Sequence, residues 1–593
     1  MRRRTFLATL PIAAAASTTT GVMSPNTASA ETAASPSVTH GGDRIAGAPF
    51  ASRSTVWGKH GAAATAHPLA TLTAIDILRA GGSAVDAAIA ANAALGFLEP
   101  ISCGVGGDCF VMLWDPKSKK VIGLNGSGRS PRSLSLETQR ARAKNGFIAS
   151  HGAVSVSTPG AVDAWWTLHG RYGRLKWADL FAPAIDMAKD GVPVAETIAY
   201  YLAASNRFFT RPGNGIEEVE NFKKVWAPNG ATPVEGDVFA NPALAHTYRL
   251  IAQGGREGFY GGEAAATMDG YFKRIGGWLT KDDLAAHHSE WIEPRSTNYR
   301  GVDVWALPPN SQGLSTLQIL NILERFDMKA LGFQTTASLH TQAEAKRLAF
   351  EDRARYFTDP DFAKIPIDWL ISKDYAAQRA ALIKPDRVLA TISPGQAPSH
   401  GDTTYFCVAD ADGMMVSIIQ SNYRGMGSGL MPDGLGFMFQ DRGELFSLRD
   451  GDANIYAPGK RPFQTIIPGF ATKGGEPWLA FGVMGGDMQP QGQAQIIVNL
   501  VDYGLGLQEA GDSPRWHHEG SSEPTGAPAD GTGILRLETG VPEETKKGLA
   551  ALGWKLGLGP TDGGFGGYQC IERLAGRYAA ATEMRKDGAA LAY

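Results

Sequence analysis

Asp402-Thr403-Thr404-Tyr405-Phe406-Cys407-Val408-Ala409-Asp410-Ala411-Asp412-Gly413-Met414-Met415-Val416-Ser417-Ile418-Ile419-Gln420-Ser421 is the stretch on which the reading of this chain turns. Tyr405 to Val408 and Val416 to Ile419 are rich in β-branched and aromatic residues. Asp410 to Gly413 lie between them, and the pattern predicts a hairpin. Pairing across a loop centred on residue 412 sets positions summing to about 824 opposite one another, so Ser421 faces Thr403. A slip of one residue would turn it away.

The stretch also divides the chain. A polar, Pro-bearing segment from Ser393 to Gly401 runs into it, and helical patterns dominate from about 60 to 400. Helices are expected at Thr71 to Arg79, Val85 to Ala94, Ala161 to Tyr172, Trp177 to Lys189, Leu314 to Phe326 and His340 to Phe357. Beyond the hairpin, strands are expected at Gly436 to Gln440, Thr465 to Ala471, Trp478 to Val483 and Tyr578 to Ala581, with a helix at Gln493 to Tyr503. No linker divides 60 from 593, so the layout is one large α+β domain with helices on both faces of antiparallel sheets.

The N-terminus is read apart from the fold. Arg2, Arg3 and Arg4 precede a short apolar run, and Ala28-Ser29-Ala30 offers small residues for cleavage. Residues 1–30 therefore read as a twin-arginine export signal, leading to a periplasmic or secreted protein, and 31–55 as a flexible leader. A basic disordered tail is the alternative for 1–30. The rest, 43% hydrophobic overall, carries no further membrane span. A net charge of −3 with mixed signs leaves no basic face for nucleic acid. The four cysteines, Cys103, Cys109, Cys407 and Cys570, are few for a disulfide-built fold and lack metal-site spacing, so buried thiols are expected; only Cys103 and Cys109 lie close enough in sequence to suggest a bridge.

The usual catalytic signatures are missing: there is no G-x-S-x-G elbow, H-E-x-x-H, P-loop or Cys-x-x-Cys. The pairs His287-His288 and His517-His518 suit caps or surface better than a metal. Gly425, Gly427 and Gly429 resemble half a phosphate loop but open no helix. Thr403 remains. In mid-chain its hydroxyl is a weak nucleophile, but cutting the bond after Asp402 would free an α-amine of pKa ~8 that can serve as its base. On these residues alone, Thr403-Thr404 reads first as the start of an ordinary strand, and Ser421 could equally face solvent.

The residues then resemble a known family, the γ-glutamyltransferases (glutathione hydrolases) among the N-terminal-nucleophile hydrolases. The likeness rests on His67-Pro68-Leu69-Ala70-Thr71, Gly81-Gly82-Ser83-Ala84-Val85-Asp86-Ala87-Ala88, Gly104-Val105-Gly106-Gly107, Thr158-Pro159-Gly160, Gly258-Phe259-Tyr260, Pro308-Pro309 and Glu344-Ala345 through Asp359-Pro360. It continues with Asp402-Thr403-Thr404, Pro458-Gly459-Lys460-Arg461-Pro462, Gly485-Gly486, Tyr503-Gly504-Leu505 and Pro514-Arg515.

The resemblance implies a four-layered αββα fold and a proenzyme cut before Thr403 into a large piece (56–402) and a small piece (403–593) that stay together as a heterodimer. It implies no metal and no organic cofactor. It places the nucleophile on Thr403, a supporting hydroxyl on Ser421, the oxyanion hole on Gly485 and Gly486, and substrate contacts on Arg129, Tyr423, Gln464 and Thr465. Departures from the family pattern bear on the substrate. Leu445 stands where an acid would hold the glutamyl α-amine, and Arg442 where a neutral residue is usual. Two arginines at an acyl pocket would favour a substrate carboxylate, whereas a leucine would not bind an ammonium. Alternatively, Arg442 pairs with Asp441 or Glu444 outside the pocket. The segment Pro432 to Gly436 is short, implying a reduced lid and easier access of water.

The expected function is an amide hydrolase of the γ-glutamyltransferase type acting on γ-glutamyl compounds such as glutathione, with weak transfer. The alternative keeps the mechanism and changes the acyl group to an acid lacking the α-amine, as in a glutaryl-type cephalosporin acylase or an oxamate amidohydrolase. An exported binding protein without catalysis is the reading from another class; Asp402-Thr403-Thr404 speaks against it.

Overall fold

The computed structural model describes residues 43, 44, 47, 50–390, 392, 402–558 and 564–593. The candidate export signal, most of the leader and the segment from Ser393 to Gly401 lie outside the described residues.

The expected hairpin forms from Asp402–Ala409 and Met415–Tyr423. Its register has Thr404 opposite Gln420, Tyr405 opposite Ile419 and Cys407 opposite Ser417, with a bulge between Asp402 and Thr404. It forms the middle of a seven-stranded sheet. On one side of it lie Ala62–Thr65 and then Ala589–Ala592; on the other lie Asp108–Asp115, Lys120–Gly126 and Glu290–Ile292.

A second seven-stranded sheet runs Val56–Gly58, Arg577–Thr582, Tyr568–Leu574, Glu476–Val483, Gly469–Lys473, Val302–Ala306 and Arg295–Tyr299. The sheets face one another across an apolar layer to which the hairpin gives Tyr405, Cys407, Met415 and Ile419 and the second sheet gives Phe470, Ala480, Ile571 and Ala580. Alternate residues of the hairpin, Phe406, Val408, Val416 and Ile418, point the other way, into a core shared with the helices Pro68–Arg79, Ala84–Leu98 and Ala161–Tyr172. The second sheet is backed by Gly313–Leu323, Thr336–Tyr356 and Met488–Val501. Period-two alternation thus places each strand between two apolar layers, giving a four-layered αββα fold.

Most expected helices form within a few residues of their predicted bounds; Trp177 to Lys189 divides into a 3-10 turn, Trp177–Phe181, and the helix Ala182–Asp190. The strand expected at Gly436 to Gln440 does not form. That segment is irregular: Phe439 N–H donates to Leu430, Gln440 N–H to Gly106, and Phe439 accepts from Ser428. All four cysteines are buried free thiols. Among the described residues no helix is long and apolar enough to cross a membrane.

Candidate active site

Thr403 stands at the bulged start of the hairpin, wholly buried. Its Oγ1 lies 3.3 Å from Ser421 Oγ, the facing expected from the register. Ser421 Oγ also accepts from Tyr423 N–H at 2.8 Å, which folds the strand's end back onto the hydroxyl. The backbone of Ser421 is approached closely by the loop from Gly104 to Gly107. A Cβ on Gly107 would lie 2.5 Å from Ser421 O, so only glycine fits there.

Gly485 and Gly486 follow the strand Glu476–Val483 and precede the helix Met488–Val501, with φ of +102° and +55°. Gly485 O accepts from Met488 N–H at 2.9 Å. The peptide is planar and trans, so the Gly486 N–H on the same unit points away from the helix. Neither glycine N–H has an acceptor among the described residues. In the first turn of that helix, Gln489 Nε2 reaches Thr403 Oγ1 at 3.4 Å while its own N–H donates to Gly486 O. Gln489 joins the glycine turn to the threonine. Sequence reasoning missed it, because the helix is expected there only from Gln493 onward, whereas it begins at Met488.

Arg442 is completely buried and lies in the short 3-10 turn Arg442–Leu445. Its Nη1 donates to Thr465 Oγ1 at 2.6 Å, and its guanidinium carbon sits 4.7 Å from the Tyr423 ring centroid. Nε and Nη2 have no hydrogen-bond partner among the described residues. Burial lowers its pKa to about 10 against the pull of Asp108. Asp441 and Glu444 do not pair with it by direct contact; Glu444 instead bonds Arg424 and Tyr423. Tyr423 holds φ +82°, opposite Asp402 in the register.

Asp108 is a second residue the sequence did not reveal. It is wholly buried, accepting from Gly128 N–H at 2.8 Å, Gln440 Nε2 at 2.8 Å and Gln464 Nε2 at 2.6 Å. Burial pushes its pKa up to about 6, opposed by Arg442 and these donors. Gln464, expected at the substrate, is thereby committed through its amide nitrogen, while its Oε1 has no hydrogen-bond partner among the described residues. Leu445 is buried in the core of the second sheet.

Arg129 is not brought to this cluster. Its guanidinium is held by Asp359 at 3.2 Å, Glu290 at 3.2 Å, Asp361 at 2.9 Å and the carbonyl of Gly459. Arg461 shares Glu290 and takes Asp359 on its own N–H, so both arginines tie the Pro458-to-Pro462 loop to the Asp359 turn. The short Pro432-to-Gly436 segment is anchored on the helical side. Leu435 O and Gly436 O accept from Thr247 and Asn241, and Leu435 packs in the helical core. His287, His517 and His518, expected at caps or the surface, are buried.

Residues 70–593 match the family model described as Gamma-glutamyltranspeptidase. The chain belongs to that family. A glutathione hydrolase-like YwrD proenzyme of Bacillus subtilis is 37% identical over 450 residues, covering 76% of this chain and 83% of the relative. An oxamate amidohydrolase proenzyme of Klebsiella pneumoniae is 34% identical, covering 77% and 85%. The crystal structure of cephalosporin acylase from Bacillus halodurans superposes with a TM-score of 0.83 at 40% identity, covering 91% of this chain and 97% of that one. This member of the gamma-glutamyltranspeptidase family is therefore an enzyme, an N-terminal-nucleophile amidohydrolase by kinship and by fold.

Proposed function

We propose that the exported chain cuts itself between Asp402 and Thr403 and then hydrolyses amides whose acyl group carries a carboxylate but no α-amine. The new α-amine of Thr403 takes the proton from Oγ1, and Oγ1 attacks the substrate carbonyl. The N–H groups of Gly485 and Gly486 receive the developing oxyanion, a contribution commonly worth about 3 kcal/mol per donor. Collapse transfers the proton to the departing amine and leaves an ester on Thr403. Water then enters, with the α-amine again as base, and releases the acid. Ser421 holds the amine over Oγ1, and a short segment 432–436, anchored to the helices through Leu435 and Gly436, leaves water free to compete with acceptor amines.

The observation that carries the substrate reading is Arg442, whose buried guanidinium has two donor nitrogens without a hydrogen-bond partner among the described residues, next to Thr465 and Tyr423. A buried cation with spare donors is costly until an anion satisfies it. No carboxylate stands at Leu445 to take an ammonium. A γ-glutamyl group is the second reading, favoured by Asp441, whose Oδ2 is buried without a hydrogen-bond partner among the described residues.

Hydrolysis of glutaryl and γ-glutamyl anilides by the purified protein separates the two. Glutaryl anilide is expected to turn over faster; the reverse order would favour the γ-glutamyl reading. Thr403→Ala is expected to stay one band of the full 63.0 kDa chain or its signal-free form, whereas the wild type splits, the 403–593 piece being about 20 kDa. A split Thr403→Ala protein would move the nucleophile elsewhere.

A further inference from the structure

The wall of the site behind the glycine turn is built from residues far from it in sequence. Gln312 is the N-cap residue of the helix Gly313–Leu323, and its side chain is buried. Its amide nitrogen donates to two carbonyls, Gly486 O at 3.0 Å and Thr465 O at 2.6 Å. One amide group therefore grips the oxyanion turn and the strand entry that presents Thr465 to Arg442. Its Oε1 accepts from Arg353 Nη1 at 2.6 Å. The same Nη1 donates to Asp487 Oδ1 at 2.6 Å, and Nη2 pairs with Glu523 at 2.5 Å. Arg353 is itself fully buried in the last turn of Thr336–Tyr356.

We infer that Arg353 is a positioning residue for the reaction, acting through the orientation it imposes on the Gln312 amide. A guanidinium can only donate, so the end of Gln312 that faces it must be the oxygen. The NH₂ end is then turned to the two carbonyls, each of which can only accept. Without the arginine the amide keeps only its carbonyl side, and Oε1 becomes a buried acceptor with no donor to hold the group in place.

Gly486 needs such a restraint. Glycine at φ +55° has little steric barrier to a peptide flip. The unit before it is fixed by Met488 N–H on Gly485 O, and the unit after it by Gln489 N–H and Gln312 Nε2 on Gly486 O. Arg353 adds a second hold on the following residue, Asp487. Burial would raise the Asp487 pKa, but Arg353 keeps it below the usual carboxylate range, so the ion pair persists at neutral pH. The clamp also crosses the proposed cut: Gln312 and Arg353 come from the large piece, and Gly486, Asp487 and Thr465 from the small one.

The inference rests on Gly485 and Gly486 being the oxyanion turn of a Thr403 enzyme. Its test uses the whole protein, the glutaryl anilide and the γ-glutamyl anilide. Gln312→Glu keeps, and by charge strengthens, the contact to Arg353 while removing the donors to both carbonyls. It is expected to lower kcat about 10- to 100-fold, the scale of a misplaced oxyanion donor, with KM changed less than about threefold. Arg353→Lys should retain more kcat than Arg353→Met, since lysine still donates to Oε1 but cannot span Gln312 and Asp487 as a fork.

Gln318→Met is the stability control. Gln318 is buried on the same helix as Gln312 and bonds Asp352 at 2.9 Å, away from the turn. It should lower Tm and leave kcat as it is. Wild-type kcat in folded Gln312→Glu, or a loss no larger than that of Gln318→Met, overturns the clamp. A wild type that neither cuts nor hydrolyses overturns the Thr403 reading and the clamp with it.

Discussion

At the residue scale, the groups around Thr403 divide by how far away in sequence their partners lie. Thr403 and Ser421 were legible because both sit in one hairpin whose loop fixes the register. Gln489, Asp108, Gln312 and Arg353 were not, because their partners are reached only through the tertiary fold and none of the four sits in a short chemical motif. Arg442 was read as a candidate, but only the structure shows its burial and its two donor nitrogens without a hydrogen-bond partner among the described residues.

Asp108 carries a consequence that can be measured. Its folded pKa stands near 6, above an unfolded value of 3.8, because burial disfavours its charge. The folded state therefore binds this proton more tightly between those values. The stabilisation is complete below pH ~4 and is lost as pH rises through about 6, with a limiting slope of about 1.4 kcal/mol per pH unit. Asparagine cannot titrate. The Tm of the wild type relative to Asp108→Asn should therefore rise as pH falls from 7 to 4. A constant difference across that range would show that Asp108 is not held in the protonated form.

At the scale of elements, the two sheets meet where Tyr405 lies flat against Gly482. A Cβ there would stand 2.4 Å from the ring, far inside contact distance. The ring is fixed by its hydroxyl, 2.9 Å from Ser417 Oγ, and Ser417 in turn donates to Gly469 O of the second sheet at 2.8 Å. Gly482→Ala is thus expected to lower Tm by overpacking, at a cost of about 1–3 kcal/mol. Adding Tyr405→Leu should recover part of the loss. Full additivity of the two changes would place the strain elsewhere.

The hairpin was readable because alternation assigns its two faces to two different cores. The error at Gly436 to Gln440 has the opposite cause. Phe437 and Phe439 enter the helical core and Met438 packs with Met426 and Met431, so all three are buried without a ladder. An apolar run of that length does not distinguish a strand from an irregular plug.

At the scale of the whole molecule, strands from before and after residue 402 pair with one another within both sheets. In the first, Ala62–Thr65 is held between Ala589–Ala592 and Asp402–Ala409, while Met415–Tyr423 pairs with Asp108–Asp115. In the second, Arg577–Thr582 takes Val56–Gly58 on its edge, and Gly469–Lys473 takes Val302–Ala306. Cutting one bond before Thr403 removes none of these ladders. The two proposed pieces would separate only by breaking five strand pairings and exposing the apolar layer between the sheets, which is the cost of unfolding the domain. After the cut, the 403–593 piece should therefore co-elute with its partner in gel filtration at the size of the intact domain. The two should come apart only at denaturant concentrations that also abolish the far-UV signal of the sheets. Separation in buffer without loss of that signal would contradict the interleaved topology. The same interleaving makes the cut compatible with function, because it frees an amine at Thr403 while every strand around it stays paired.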